Sequence, residues 1–307
     1  MKSLFLIINY IVYFSAVQAQ TNTQLSNHFP PVWGHYKKLS AYSTIPLQVN
    51  KQWNSLIFEL LPNDTKIPSP DFTGTIIANG RERNPFYLPT GEVFDIPAPP
   101  ANSSAQTRAE LDYLLQLQQQ RSAEDERISA FYATVYYRTA VKPGDADWAV
   151  MRRNLFHIGR SIGTWFNADS LPLTAKLVAN VWKDAEYLIW KYKNYFVRIR
   201  PYKLEPRLKN LEETNWAAYP SGHATNSYVN AFLYTALIPE FESFFMKDAY
   251  DMAHSREIIG VHYPGDSESG RILAYQLIQR LMQHQNFIQD FDAARKEIER
   301  VKITKGF

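Results

Sequence analysis

Apolar and polar positions follow a helical period over the last two-thirds of this chain, beginning near residue 105. From Gln106 to Arg121 (QTRAELDYLLQLQQQR), Leu111, Leu114, Leu115 and Leu117 fall to one side of a strong helix former. Ser122 reads as an N-cap, with acidic residues in the turn that follows, and a helix is predicted through ISAFYATVYY. Asp145 or Asp147 can cap another across WAVMRRNLFHIG. Thr174 can start a long helix with Leu177, Val181, Ala185, Leu188 and Tyr192 on one stripe. Further helices are predicted over Gly222 to Leu237, Phe241 to near Arg256, Pro264 to His284 and Asn286 to Val301. Alternation of the strand kind is scarce and no internal repeat shows. The pattern predicts an all-α fold, a single helical-bundle domain of about seven to nine helices.

Ahead of that domain the pattern differs. Residues 20–94 are irregular, with recurrent proline and no persistent helical period. Trp33, Trp53 and several Phe and Tyr predict that this extension packs on a body, since a disordered arm is poorer in aromatics. Residues 1–19 combine Lys2, an apolar run from Leu4 to Phe14 and small residues at Val17 and Ala19. That is the layout of a secretory signal peptide cut after Ala19, and the apolar run is shorter than the ~20 residues a spanning helix needs. The expected organisation is a leader at 1–19, an extension at 20–94 and a helical domain at 95–307, in a protein that is periplasmic or secreted.

Composition narrows the chemistry. The chain of 307 residues has a net charge of only +3, which argues against a nucleic-acid binder held by bulk charge but leaves room for a local basic pocket. It contains no cysteine, so thiolate nucleophiles and thiolate metal sites are excluded. Catalysis, if any, must use oxygen and nitrogen groups.

Three clusters carry candidate chemistry. In the first, Lys193 precedes Arg200 by seven residues, which on a helix would set both on one face, and Pro201 discourages continuation. Two adjacent cations suit a doubly charged oxyanion. Taken alone, the segment reads better as a solvated basic face, and nearby Arg198 and Lys191 are read that way. The second cluster, Pro220-Ser221-Gly222-His223, opens a helix. It is either a plain cap or an anion site beside a proton donor, because Gly lets a ligand approach and a helix N-terminus offers free N–H groups. The third runs from Ser255-Arg256 to His262 and Asp266. His and Asp four apart allow a carboxylate to hold one ring nitrogen and leave the other as nucleophile or base. The same pair could also share a metal, or Asp266 could cap the helix after Pro264.

Together the three clusters resemble the signature of the type 2 phosphatidic acid phosphatase superfamily. That signature is Lys, six residues, Arg-Pro; then Pro-Ser-Gly-His; then Ser-Arg, five residues, His, three residues, Asp. Every position is present and in order. Within the superfamily the chain is most similar to soluble bacterial class A non-specific acid phosphatases, over roughly residues 95–302, including an IPAPP segment and a C-terminal NFIQDFDAARKEI helix. The resemblance implies a metal-independent phosphomonoesterase that uses no cofactor. His262 would be the nucleophile, Asp266 its orienting partner and His223 the general acid and base. Lys193, Arg200, Arg256, Ser221, Gly222 and His223 would bind phosphate. With both histidines starting near ~6.5, one neutral and one charged, an acidic optimum is expected.

Two alternatives stand beside this reading. A vanadium-dependent haloperoxidase shares the oxyanion pocket, with vanadate as its cofactor. A non-catalytic phosphate-binding or surface-interaction protein would keep the scaffold alone. The expected partner is a small phosphomonoester with inorganic phosphate as product, and no nucleic acid or membrane insertion. Homo-oligomerisation and phosphotransfer to alcohols are both compatible with the sequence. The other histidines are read as structural, with pocket lining the lesser alternative for His254 because it adjoins Ser255-Arg256. His157 and His284 are assigned to helices, and His28 and His35 to the extension.

Overall fold

The computed structural model describes residues 84–214 and 216–305; the expected leader and extension residues up to 83 lie outside the described residues. Among the described residues there are nine α-helices and no strand. They are α1 (Ala105–Gln120), α2 (Ala123–Ala133), α3 (Trp148–Leu155), α4 (Pro172–Phe196), α5 (Pro201–Leu204), α6 (Gly222–Leu237), α7 (Glu242–Ile258), α8 (Pro264–Leu281) and α9 (Gln285–Lys305). The fold is the all-α bundle that the pattern predicts.

Helix α6 is the centre, packed against α4, α7, α8 and α9. All its residues from Ala224 to Thr235 are buried. A helix covered all round must satisfy its polar groups inside the protein. Asn230 does so by accepting from Trp182 Nε1 at 2.6 Å and donating to the Leu155 carbonyl at 2.9 Å. Helix α8 approaches α6 closely because residue 270 is glycine; a Cβ there would lie 2.9 Å from Thr225 N and 3.0 Å from Ser221 O. The predicted stripe of α4 (Leu177, Val181, Ala185, Leu188, Tyr192) is buried throughout.

The starts of α1 and α2 carry a local serine cap, and two of the predicted starts are set differently. Ser104 and Ser122 cap α1 and α2 with their side chains, Ser122 in a reciprocal capping box with Asp125. Asp147 occupies the N-cap position of α3, but its carboxylate pairs with Arg138 and makes no cap bond. Helix α4 begins at Pro172, two residues before Thr174. Its first free N–H groups, on Leu173 and Thr174, donate to the Glu297 carboxylate of α9, both at 2.8 Å. A distant glutamate thus does what a local cap would do, and the local sequence carries no sign of it.

Residues 84–100 form no helix, bending at 86–88 and turning at 90–91, and the sequence-based boundary at 94/95 falls inside this run. Asp184, in mid-α4, accepts from the backbone N–H groups of Phe86, Tyr87 and Leu88 at 2.9–3.2 Å. Tyr87 donates to Asp290 on α9 at 2.6 Å, and the Tyr192 hydroxyl bonds both backbone groups of Phe94. The prolines at 97, 99 and 100 keep this stretch from continuing into α1.

Candidate active site

The three sequence clusters come together, but not by the route that spacing suggests. Helix α4 stops at Phe196, and Val197 caps it in the left-handed region at φ 51°. A β-branched residue there is strained by roughly 1–3 kcal/mol. The helix ends at this turn, so Lys193 and Arg200 do not share a helix face. Lys193 lies in the last turn of α4, while Arg200 is the extended residue before α5. Both are buried and both point at the segment that precedes α6.

Lys193 Nζ donates to three carbonyls, Ala217 at 2.8 Å, Ala218 at 3.0 Å and Pro220 at 2.7 Å. An ammonium has three donors, so all are engaged. Arg200 donates to the carbonyls of Trp216, Val261 and Ala217. Burial pushes Lys193 well below its ordinary range, with Arg200 adding to the shift. Burial also brings Arg200 down to about 10, against the pull of Asp266.

Ser221 caps α6, its Oγ accepting from Ala224 N–H at 3.3 Å. Its own N–H donates to the Asp266 carbonyl at 3.0 Å, tying this loop to α8. Gly222 and His223 occupy the first two helical positions, whose N–H groups have no intrahelical acceptor. The His223 ring centroid lies 5.7 Å from that of Tyr136, and its buried Nε2 has no partner. The Ser221 cap and the free N–H groups of Gly222 and His223 therefore belong to one structure.

The third cluster lies at the junction of α7 and α8. His262 Nδ1 sits 3.1 Å from Asp266 Oδ2, which also accepts from Tyr263 N–H at 3.0 Å. Asp266 is thus both the third-position member of the α8 capping box and the imidazole partner. His262 Nε2 lies 3.0 Å from Arg200 Nη1. Arginine can only donate, so the network assigns the proton to Nδ1 and a lone pair to Nε2. Burial and Arg200 hold His262 well below the ordinary imidazole range. Burial and Arg256 do the same to His223. Burial alone would raise Asp266, but Arg198 and His262 outweigh it and hold the carboxyl far below its usual range. Arg256 is buried and pairs with Glu212 through Nη2, while its Nε and Nη1 are buried without a partner.

Arg198 overturns the reading of a solvated face. It is 1% exposed and ion-paired to both Glu110 and Asp266. Lys191 is also engaged, donating to the carbonyls of Gly91 and Glu92. His254 pairs with Glu257 at 2.9 Å and stacks on Tyr250. His157 lies just beyond α3, and His284 lies in the turn between α8 and α9 rather than on a helix.

Four buried cations (Lys193, Arg198, Arg200, Arg256) therefore face three carboxylates (Glu110, Asp266, Glu212), and Lys193 has none of its own. Buried charge calls for compensation, so the surplus and the unpaired donors of Arg256 suit an anion. Among the described residues no three His, Cys, Asp or Glu side chains form a metal-binding group.

Residues 173–289, which hold all three clusters, match the PAP2 superfamily. A non-specific acid phosphatase of Providencia stuartii is 27% identical over 137 residues, covering 43% of this chain and 55% of that protein. An acid phosphatase of Zymomonas mobilis is 28% identical over 139 residues, covering 44% and 53%. The chain spans about half the length of these curated relatives. Among solved structures, a bacterial vanadium-dependent iodoperoxidase aligns with a TM-score of 0.51 at 20% identity, over 74% of this chain and 63% of its own. That likeness concerns the fold. No described helix is long and apolar enough to cross a membrane.

Proposed function

We propose that this chain is a metal-independent acid phosphatase that hydrolyses phosphomonoesters through a phosphohistidine on His262. The observation that carries the reading is the wiring of His262. Its Nδ1–H is held by Asp266, and its Nε2 lone pair rests on an arginine donor that an incoming phosphate oxygen would take. Substrate binding would then release the lone pair at the moment it is needed.

The steps follow from the donors present. The ester's non-bridging oxygens meet Arg256 Nε and Nη1, Arg200 and the N–H groups of Gly222 and His223. Lys193 supplies charge beneath the loop and holds its carbonyls in place. Nε2 of His262 forms a bond to phosphorus as the phosphorus–oxygen ester bond breaks. His223 gives its Nε2 proton to the departing alkoxide. Asp266 stabilises the imidazolium character that develops on His262. His223, now neutral, takes a proton from water, whose oxygen attacks phosphorus. The phosphorus–nitrogen bond breaks and inorganic phosphate leaves. An alcohol in place of that water would give phosphotransfer. Phosphoryl transfer asks mainly for positioning and charge neutralisation, which cations and oriented donors supply.

His223 must be protonated to act as acid, yet burial and Arg256 disfavour its charge. A bound phosphate dianion reverses that balance, so substrate arms its own proton donor. Rates with an alkyl and an aryl phosphate, with and without exhaustive chelation, test the reading on wild type and His262→Ala. Full activity after chelation and loss in His262→Ala are expected; equal activity in the variant overturns the mechanism. The same donors would hold vanadate, so assay separates the haloperoxidase alternative: vanadate should inhibit, without peroxide-dependent halide oxidation. A non-catalytic binder would bind phosphate and turn over none of these esters. The expected export of the mature chain from Gln20 is checked by N-terminal sequencing of the secreted or periplasmic product.

A further inference from the structure

The three clusters leave one fully buried charged group without a task. The Arg198 guanidinium, 1% exposed, lies between two carboxylates: Nη1 donates to Asp266 Oδ1 at 2.8 Å and Nη2 to Glu110 Oε2 at 2.6 Å. Its plane covers the Tyr263 ring, with 3.7 Å from Cζ to the centroid. Glu110 spends its other oxygen on Gly265 N–H at 2.8 Å. A Cβ at Gly265 would come within 2.6 Å of that oxygen, so glycine is what lets the carboxylate reach the backbone. Helix α1, far away in sequence, is thereby fastened to the first turn of α8.

We propose that Arg198, clamped by Glu110, is a positioning residue that keeps Asp266 ionised and aimed at His262. This rests on the reading of His262 as the nucleophile. The two oxygens of Asp266 have separate tasks. Oδ1 belongs to Arg198, and Oδ2 belongs to His262 Nδ1 and Tyr263 N–H. Stability alone gives little reason for such a triad, because an apolar replacement of similar volume is often as stable. Orientation and ionisation do give a reason. Without Arg198 no cation stands between the two carboxylates: Glu110, which burial already raises, takes up a proton first, and Asp266, having lost the largest cause that holds it low, protonates at a higher pH than before. A protonated Asp266 no longer fixes the proton on Nδ1, so the Nε2 lone pair is no longer guaranteed. The other groups facing Asp266 do not replace Arg198. Lys193 and Arg200 also attract Asp266 but spend their donors on carbonyls rather than on its oxygens, and Tyr263 and Tyr219 are neutral.

The test is steady-state kinetics against pH on wild type, Arg198→Met, Arg198→Lys, Glu110→Gln and His262→Ala, each with a thermal melt. In Arg198→Met, kcat should fall about 100-fold, as expected of lost positioning, with KM within about threefold. The acid side of its kcat profile should move up by about one pH unit, because Asp266 now protonates sooner as pH falls. Arg198→Lys should restore part of kcat and return the acid side towards wild type. If Arg198→Met does not fold, Arg198→Lys carries the test, with a smaller loss and the same direction on the acid side, while Glu110→Gln should lower kcat without moving the acid side up, because it removes a negative neighbour of Asp266. Arg198 variants that lower the melting temperature but leave the shape of the kcat profile unchanged overturn the proposal. Activity retained in His262→Ala would instead overturn the reading on which it rests.

Discussion

Lys193 and Pro220 are joined beneath the candidate site: the ammonium donates to the Pro220 carbonyl at 2.7 Å and, with its other two donors, to Ala217 and Ala218. A side chain that sequence logic assigns to phosphate is thus wholly engaged with the backbone that presents Ser221, Gly222 and His223. Truncating it leaves buried carbonyls without donors, at about 1–3 kcal/mol for each unsatisfied group. Lys193→Met is expected to lower stability by about 3–5 kcal/mol in urea unfolding and to depress kcat and kcat/KM together. A variant of wild-type stability that differed only in KM would show that the ammonium leaves the carbonyls to serve the ligand.

The buried Nε2 of His223 has no partner. If that nitrogen protonates the leaving group, its value depends on how basic the leaving oxygen is. His223→Ala should lose about 100- to 10,000-fold on an alkyl phosphate, and much less on an aryl phosphate whose phenolate departs unaided. Parallel rates on the two ester types decide the point. Equal losses on both would assign His223 to binding rather than proton transfer.

The depressed titration of both histidines sets the pH behaviour. His262 acts neutral, and a lowered value means it stays neutral well into acid, so activity should persist there. His223 acts protonated, and in the free enzyme burial and Arg256 take that proton away as pH rises. Bound phosphate dianion opposes this. The alkaline fall of kcat should therefore lie at higher pH than that of kcat/KM, since kcat reports the substrate complex and kcat/KM the free forms. The substrate's second ionisation, near ~6, enters kcat/KM but is constant across enzyme variants, so His223→Gln serves as the control. Coincident alkaline falls would mean that phosphate does not raise His223.

How much of this was legible in the sequence depends on how local the cause was. Helix α6 begins and ends where its pattern and Ser221 place it, because a cap and a helical face are properties of neighbouring residues. The four-residue reach from His262 to Asp266 is likewise local, and Asp266 serves as capping-box member and imidazole partner at once. Arg198 was not legible. A surface arginine and a buried one look alike in sequence until their carboxylates are placed, and Glu110 lies 88 residues away. The approach of Lys193 to Arg200 was misjudged for a related reason: Val197 gives no sign of adopting the left-handed turn that ends α4. The Glu297 cap on Leu173 and Thr174 joins elements more than 120 residues apart, beyond any window of local pattern.

Asp184 supports the last prediction, which concerns stability rather than catalysis. Its carboxylate lies fully buried in α4 and accepts from the N–H groups of Phe86, Tyr87 and Leu88. Burial raises it to about 6 despite those bonds. The unfolded value is ~3.9, so between roughly pH 4 and 6 the folded protein holds a proton that the unfolded chain has released. This group's contribution to folding is therefore present below that window and is lost as pH rises through it, an effect on the order of 2–3 kcal/mol. Asp184→Asn keeps an acceptor for the backbone without the charge, so its stability relative to wild type should rise by that amount from pH 4 to pH 7. Asp184→Ala keeps no acceptor and should be less stable than Asp184→Asn by about 1–3 kcal/mol at every pH, since the buried N–H groups lose their partner. Chemical unfolding of the three proteins at several pH values measures both differences. Wild-type and Asp184→Asn curves that run parallel across the window would show that the carboxylate titrates normally where it lies.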